Sequence, residues 1–287
     1  MNCIVMIMLS ALFFSLAELS AKKSLKDLHA LQFSMILKLF ELVMILFFIS
    51  MMDFSVPLWV YFAVYGLSMI ATAANLLTTK GMRHLEISSM APLTNLSPFF
   101  LIVIAYFFLG ETLTLVQFIG IILLVLGVYY LEARDQEGVW QNIRHLLTSR
   151  YVVLVIFAYF LYSFTATGEK FLLDFIGPVT LLFLFIIFMG INFFIVSSLM
   201  YGGYRDLAEG LGSSGRFIAV IAVFSLLSKF FYVFALKAAF VSLVIPIKRL
   251  STLFTTILGG KLFHESDVWR KVAACIVMIA GIFFIAI

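Results

Sequence analysis

The sequence predicts an all-α integral membrane protein with ten transmembrane helices arranged as two inverted five-helix repeats. Three observations predict it. The 287 residues are 64% hydrophobic and 12% charged, with a mean hydropathy of +1.15, which leaves too little polar material to cover a soluble domain of this size. The apolar residues fall into ten runs, most of them long enough to cross the roughly 30 Å hydrocarbon layer as helices. The chain also superposes on itself at an offset of 154 residues.

The first run, residues 2–20, has no Lys or Arg ahead of it and Lys22, Lys23 and Lys26 behind it. A secretory leader carries its charge the other way round, so this run is expected to stay as the first helix. Residues 31–52, 57–79, 85–109 and 115–132 are the second to fifth spans, cut where charges and turn residues cluster. Residues 151–168, 177–200, 216–237, 239–262 and 267–287 are the sixth to tenth. Runs such as "LIVIAYFFL" and "TLLFLFIIFMGINFFIV" are apolar on every side, which excludes the alternating strands of a transmembrane barrel. The expected organisation is a first repeat over 1–133, a connecting loop over 134–150 and a second repeat over 151–287.

Ten crossings place the loops alternately on two sides. One side collects Lys22, Lys23, Lys26, Lys80, Arg83, Arg134, Arg144, Arg150, Arg205, Arg216, Lys261, Arg270 and Lys271; the other holds only Lys170 and Lys237. Positive short loops stay in the cytoplasm, so both termini are expected outside, across what reads as a prokaryotic plasma (inner) membrane. Scattered among short loops, the basic residues describe membrane topology and not a nucleic-acid surface. Cys3 and Cys275 both lie in apolar runs and offer neither a disulfide framework nor metal spacing.

At the 154-residue offset Ser88 meets Ser242, Pro92 meets Pro246, Leu96 and Ser97 meet Leu250 and Ser251, Glu111 meets Glu265, and Gly127 meets Gly281. Five spans per half is an odd number, so the second half enters the membrane from the opposite face, an arrangement suited to alternating access around a shared midplane site. Pro92 and Pro246 each remove a backbone donor inside a helix and free carbonyls that can line a cavity, or serve only to shape packing.

These features resemble the EamA domain of the drug/metabolite transporter superfamily, whose repeat closes with a Pro-containing fourth helix, a Gly-Glu ending and a Gly-rich fifth helix. Here the pattern reads "APLTNLSPFF", "LGE" and "QFIGIILLVLGV"; the second copy departs from it, with "FHE" for "LGE" and Ala274 facing Gly120. The resemblance covers the whole chain and implies a ten-helix fold with a central cavity lined mainly by spans 1 to 4 and 6 to 9. It also implies cytoplasmic termini, opposite to the loop charges, and a small-molecule substrate without fixing its identity.

Ionisable groups at membrane depth are costly and usually face a cavity or a partner. The interior candidates are Lys38, Glu41, Lys229, Lys248 and Arg249, while Glu18 sits near the end of the first span and Glu169 near the end of the sixth. Lys38 and Glu41 share one helical face at i, i+3 and read as a local ion pair. Glu18 and Glu41 are candidates for proton coupling, and Glu111 and Glu265 for helix-end anchors. In repeat register Lys229 replaces Asn75, Lys248 replaces Thr94 and Arg249 replaces Asn95, so the second half is cationic where the first is neutral. Adjacent helical residues point about 100° apart, so only one of Lys248 and Arg249 is expected to enter the cavity. An uncompensated cation there favours an anion, which Arg grips through two parallel hydrogen bonds. The plastid phosphate translocators of the superfamily similarly carry a Lys-Arg pair in the ninth helix that holds phosphate, and "IKRL" resembles it. The alternative is a set of internal salt bridges holding the halves together.

The expected site is therefore Asn75, Asn95, Tyr159, Tyr162, Ser228, Lys229, Tyr232, Lys248 and Arg249. The expected activity is secondary transport of a small polar metabolite, an organophosphate or carboxylate, coupled to a proton or a counter-substrate, by a monomer or homodimer among membrane lipids. A flippase for a lipid-linked phosphate, an amino-acid or drug exporter and a non-transporting scaffold are the alternatives. No nucleotide-binding glycine loop, catalytic constellation, cofactor motif or metal signature is present; His29, His84, His145 and His264 fall in or near loops, far apart.

Overall fold

The computed structural model describes residues 3–25, 27–53, 55–87, 90, 93–97, 99–101, 104, 114–132, 149–200, 204–239, 244 and 248–286. Among these residues all regular structure is helical: α1 (Cys3–Ser24), α2 (Ala30–Ile45), α3 (Leu58–His84), α4 (Leu115–Glu132), α5 (Arg150–Leu172), α6 (Pro178–Met200), α7 (Tyr204–Ala238), α8 (Ser251–Leu262) and α9 (Val268–Ala286). Two 3₁₀ segments, Leu46–Met51 and Thr94–Leu96, continue α2 and mark the fourth span. Pro92, Pro246, Ser88, Ser242, Glu111, Lys26, Arg134, Arg144 and His145 lie outside the described residues.

Among the described residues six helices are long and apolar enough to cross a membrane: Ile4–Ser24, Ala30–Met51, Leu58–His84, Arg150–Leu172, Pro178–Leu199 and Ser214–Ala238. Apolar content marks where lipid ends, not where backbone hydrogen bonding ends. Hence α7 begins at Tyr204, well before the expected span at 216, and α3 runs on to His84 beyond the expected 79. The connection from α2 to α3 is tied down locally: Asp53 N donates to Thr180 Oγ1 of α6 at 2.9 Å. Ser55 donates to Asp53 Oδ1 through N and Oγ, at 2.9 and 2.5 Å, which holds that carboxyl below its usual range.

Helices of the two sequence halves pair antiparallel. In α1 against α7, Ile7 packs in one apolar cluster with Ala235, and Lys23 lies 5.5 Å from the Phe217 ring. In α3 against α5, His84 stacks on Tyr151 at 4.0 Å and Trp59 sits 6.4 Å from Phe171. The helices α2 and α6 pack on each other and bridge α7 and α3, while α8 packs on α1 and the Thr94–Leu96 turn on α5. These eight segments ring a central space. Ser15 Oγ donates to Ser251 O and Ser163 Oγ to Ser97 O, each at 3.0 Å, so two acceptors 154 residues apart are used alike.

The pair α4 and α9 packs on itself outside this ring through its glycines. A Cβ on Gly281 would lie 2.8 Å from Gly120 O, and one on Gly127 would lie 3.2 Å from Ala274 O. Gly281→Ala is expected to lower stability by about 1–3 kcal/mol through overpacking against backbone. Gly66→Ala, whose Cβ meets nothing within 4 Å, is expected to cost nothing; thermal unfolding of both variants in detergent checks the pair.

Candidate functional site

The central space is a cavity of about 340 Å³. Its walls are largely apolar, from Phe14 and Leu37 to Phe185 and Met189, and into them project Lys38, Lys229, Lys248, Arg249, Glu18 and Glu169. Burial without partners would be prohibitive for six ionisable groups, so the surroundings of each decide what it can do.

Lys38 and Glu41 form the i, i+3 pair expected on α2, Nζ to Oε2 at 2.8 Å, at 3% and 0% exposure. The other carboxylate oxygen of Glu41 accepts from Ser225 Oγ at 2.6 Å and from Lys229 Nζ, both on α7. Glu41 therefore serves two cations, and Lys229, 34% exposed, turns toward the cavity. Glu41 itself is not among the lining residues.

Lys248 and Arg249 both border the cavity, which corrects the expectation that only one would. The helical geometry separates them by about 100°, but a cavity that wraps around the segment receives both directions. Lys248 Nζ sits 4.0 Å from the Tyr232 ring centroid and 5.3 Å from that of Phe14, a cation–π arrangement, and makes no hydrogen bond among the described residues. Arg249 donates through Nη2 to Ser97 Oγ, its Cζ lies 6.0 Å from the Tyr159 ring, and its buried Nε has no hydrogen-bond partner among the described residues. Glu18 accepts from Thr255 Oγ1 at 3.4 Å and feels Arg249 and Lys248 electrostatically. Glu169 interacts with Lys248 and Lys229 through space without a direct ion pair among the described residues.

Of the expected residues, Asn75, Tyr159, Tyr162, Ser228, Lys229, Tyr232, Lys248, Arg249 and Glu18 are brought together on one cavity. Tyr159 and Tyr162 lie 6.0 Å apart with rings tilted by 42°. Asn75 Oδ1 accepts from Ser34 Oγ at 3.0 Å. Ser228 lines the wall but its hydroxyl donates to Ser10 O while Ser10 donates to Ser228 O, both at 2.9 Å, so both serines are engaged in joining α1 to α7. Asn95 is not a lining residue: it is fully buried, with Nδ2 3.4 Å from Thr252 Oγ1 and 3.8 Å from Cys275 Sγ.

Ser97, Ser163, Ser225 and Glu169 line the cavity without having been singled out for it. Ser97 was signalled by its register with Ser251, whereas Glu169 falls near a span end in the sequence and carries no signal of the cavity there. Glu265 accepts from Ile87 N at 2.8 Å, and Lys271 pairs with Glu86; both link the start of the fourth span to the α8–α9 region, away from the cavity.

The EamA-like transporter family model matches residues 1–132 and 149–287. Among solved structures 26 chains match, and one of them, a crystal structure described only as that of a protein, is 12% identical with a TM-score of 0.62, covering 98% of this chain and 95% of the other. That likeness shows the fold alone. No curated protein matches the sequence. A multi-pass helical membrane protein with a central cavity is the class to which fold and site point, and within it the chain belongs to the EamA-like transporter family. It is a membrane transporter of small molecules.

Proposed function

We propose that the chain is a secondary carrier that moves a small organic anion, a phosphate ester or carboxylate, by alternating access. The observation that carries the reading is charge at the cavity. Among the described residues Lys38, Lys229, Lys248 and Arg249 face three carboxylates, Glu18, Glu41 and Glu169, so the formal charge is one positive in excess beside largely apolar walls. A surplus cation in a low-dielectric site is an anion site. Arg249 adds the planar fork that suits phosphate or carboxylate. A non-transporting scaffold would have a filled centre, which a 340 Å³ cavity opposes.

The mechanism follows from ten spans in two inverted halves, 1–133 and 151–287. The two-part family match and the serine bonds repeated at the 154-residue offset support that division. Of the two coupling candidates, Glu18 is better placed than Glu41. Both oxygens of Glu41 are committed to cations, whereas Glu18 accepts one long hydrogen bond and borders the cavity. The cations of the loops support a reading with both termini outside a prokaryotic inner membrane.

The test is a ligand screen on the purified protein. Organophosphates and carboxylates are expected to raise its unfolding temperature, with the effect shrinking as salt rises, and the stabilising compounds are expected to be taken up by proteoliposomes. Stabilisation by amines alone would overturn the anion reading. Uptake that ignores an imposed pH gradient would remove Glu18 from coupling.

A further inference from the structure

Near the end of α1, Lys22 Nζ donates to Met82 O at 2.6 Å and to Leu85 O, carbonyls at the C-terminus of α3. In the last turn of α5, Lys170 Nζ donates to Leu236 O at 2.8 Å and Ala239 O at 3.1 Å, at the C-terminus of α7. Lys237, in the last turn of α7, donates back to Leu173 O just past α5. The acceptors correspond: Met82 and Leu236 are 154 residues apart, and so are Leu85 and Ala239. The donors Lys22 and Lys170 are 148 apart, the same spacing as Ser15 and Ser163.

A lysine near a helix end ordinarily satisfies orphan carbonyls and complements the dipole there. These three each satisfy a helix other than their own, and the helices they join have their main packing elsewhere: α1 packs on α7, and α3 on α5. The cavity lies between those two walls. Because α1 is antiparallel to α7, the Lys22 tie and the Lys170–Lys237 tie lie at opposite faces of the membrane. The cavity reaches both, ending at Ala21 and Met82 on one side and at Glu169 and Val233 on the other.

Resting on the alternating-access reading, we propose that Lys22 is the gate at the face where α1 and α3 end. Lys170 with Lys237 is the gate at the opposite face, and both ties are made in this structure. Opening one face separates the α1/α7 wall from the α3/α5 wall there, which requires the lysine to exchange its carbonyls for water. An ammonium makes that exchange cheaply at the membrane surface and poorly in its middle, which is where the ties sit to advantage. The rigid antiparallel pairs then move as units while the lysine contacts break and re-form.

The experiment uses the full chain with Cys3 and Cys275 replaced by Ala and a single reporter, Ala166→Cys, on the cavity wall. It is reconstituted in one orientation, and a membrane-impermeant thiosulfonate is applied to one face at a time. Lys22→Gln is expected to speed labelling roughly tenfold from the face where α1 ends and to leave the other face unchanged, because a charged donor to two carbonyls is lost. Lys170→Gln with Lys237→Gln is expected to do the converse, and Lys22→Arg to stay near the parent rate. A Lys22→Cys/Leu85→Cys pair without the reporter, joined by a short bifunctional thiosulfonate that spans the length of the lost lysine, is expected to stop transport, and it keeps the test independent of whether Lys22→Gln folds. Equal changes at both faces, no change, or transport by the cross-linked protein would overturn the gates alone. A parent labelled from both faces at once, with or without substrate, would overturn alternating access and the gates with it.

Discussion

Glu41→Gln is expected to lower the stability of the detergent-solubilised protein by about 3–5 kcal/mol, the range for removing one partner of a buried ion pair. Gln keeps the shape and can still accept from Ser225, but it leaves two cations without a counter-charge. They do not suffer equally. Lys229 is 34% exposed and can turn further into the cavity, whereas Lys38, though it borders the cavity, is 3% exposed and has less room to find water. The cost therefore sits mainly on Lys38, and Lys38→Met combined with Glu41→Gln is expected to recover most of the loss. A double-mutant cycle of unfolding free energies measures that coupling directly. A Glu41→Gln protein within 1 kcal/mol of the parent would show that the ion pairs do not hold α2 against α7, whatever their geometry.

Arg249→Gln is expected to reduce transport of the anionic substrate by roughly two orders of magnitude, the scale of losing charge-assisted hydrogen bonds in a water-poor site. The guanidinium is positioned before substrate arrives, by Ser97 on one side and the Tyr159 ring on the other. Arg249→Lys retains the charge without the fork and is expected to fall between the two. Lys248→Gln is expected to cost about tenfold, since Lys248 contributes charge over Tyr232 but no hydrogen bond among the described residues. The readout is concentration-dependent uptake together with ligand-induced thermal stabilisation. Loss of both with an unchanged unfolding temperature of the unliganded protein assigns the effect to binding. Both Gln variants transporting like the parent would remove the anion site from the cavity.

These two residues also show where sequence reading reached its limit. The ion pair between Lys38 and Glu41 was legible because i, i+3 spacing is local. The third member, Lys229, lies 188 residues away from Glu41, and nothing in either segment announces the other. The Lys248–Arg249 pair was legible as a departure from the neutral Thr94–Asn95 of the first half. The helical angle between the two suggested a single cavity-facing cation, because it describes a segment and not the shape of the space beside it. Asn95 was assigned to the cavity by register with Arg249, yet it packs behind it against Thr252 and Cys275. Pseudo-equivalent positions share a backbone environment, but a short amide does not reach as far as a guanidinium.

Composition alone was enough to make this chain a helical membrane protein, since no other environment accepts so little polar surface. Internal register was enough to suggest two halves, because a Ser, a Glu and a Gly do not recur at one offset through shared hydrophobicity. Family membership followed from the motifs those halves carry. What required the folded chain was every interaction between segments distant in sequence: the second cation on Glu41, the placing of Glu169 on the same cavity as Glu18, and the lysines that tie α1 to α3 and α5 to α7. Apolar periodicity specifies that a helix is buried and how long it is. Which polar groups then meet depends on the packing of all the helices at once, and it is there that the charge balance of the cavity is set.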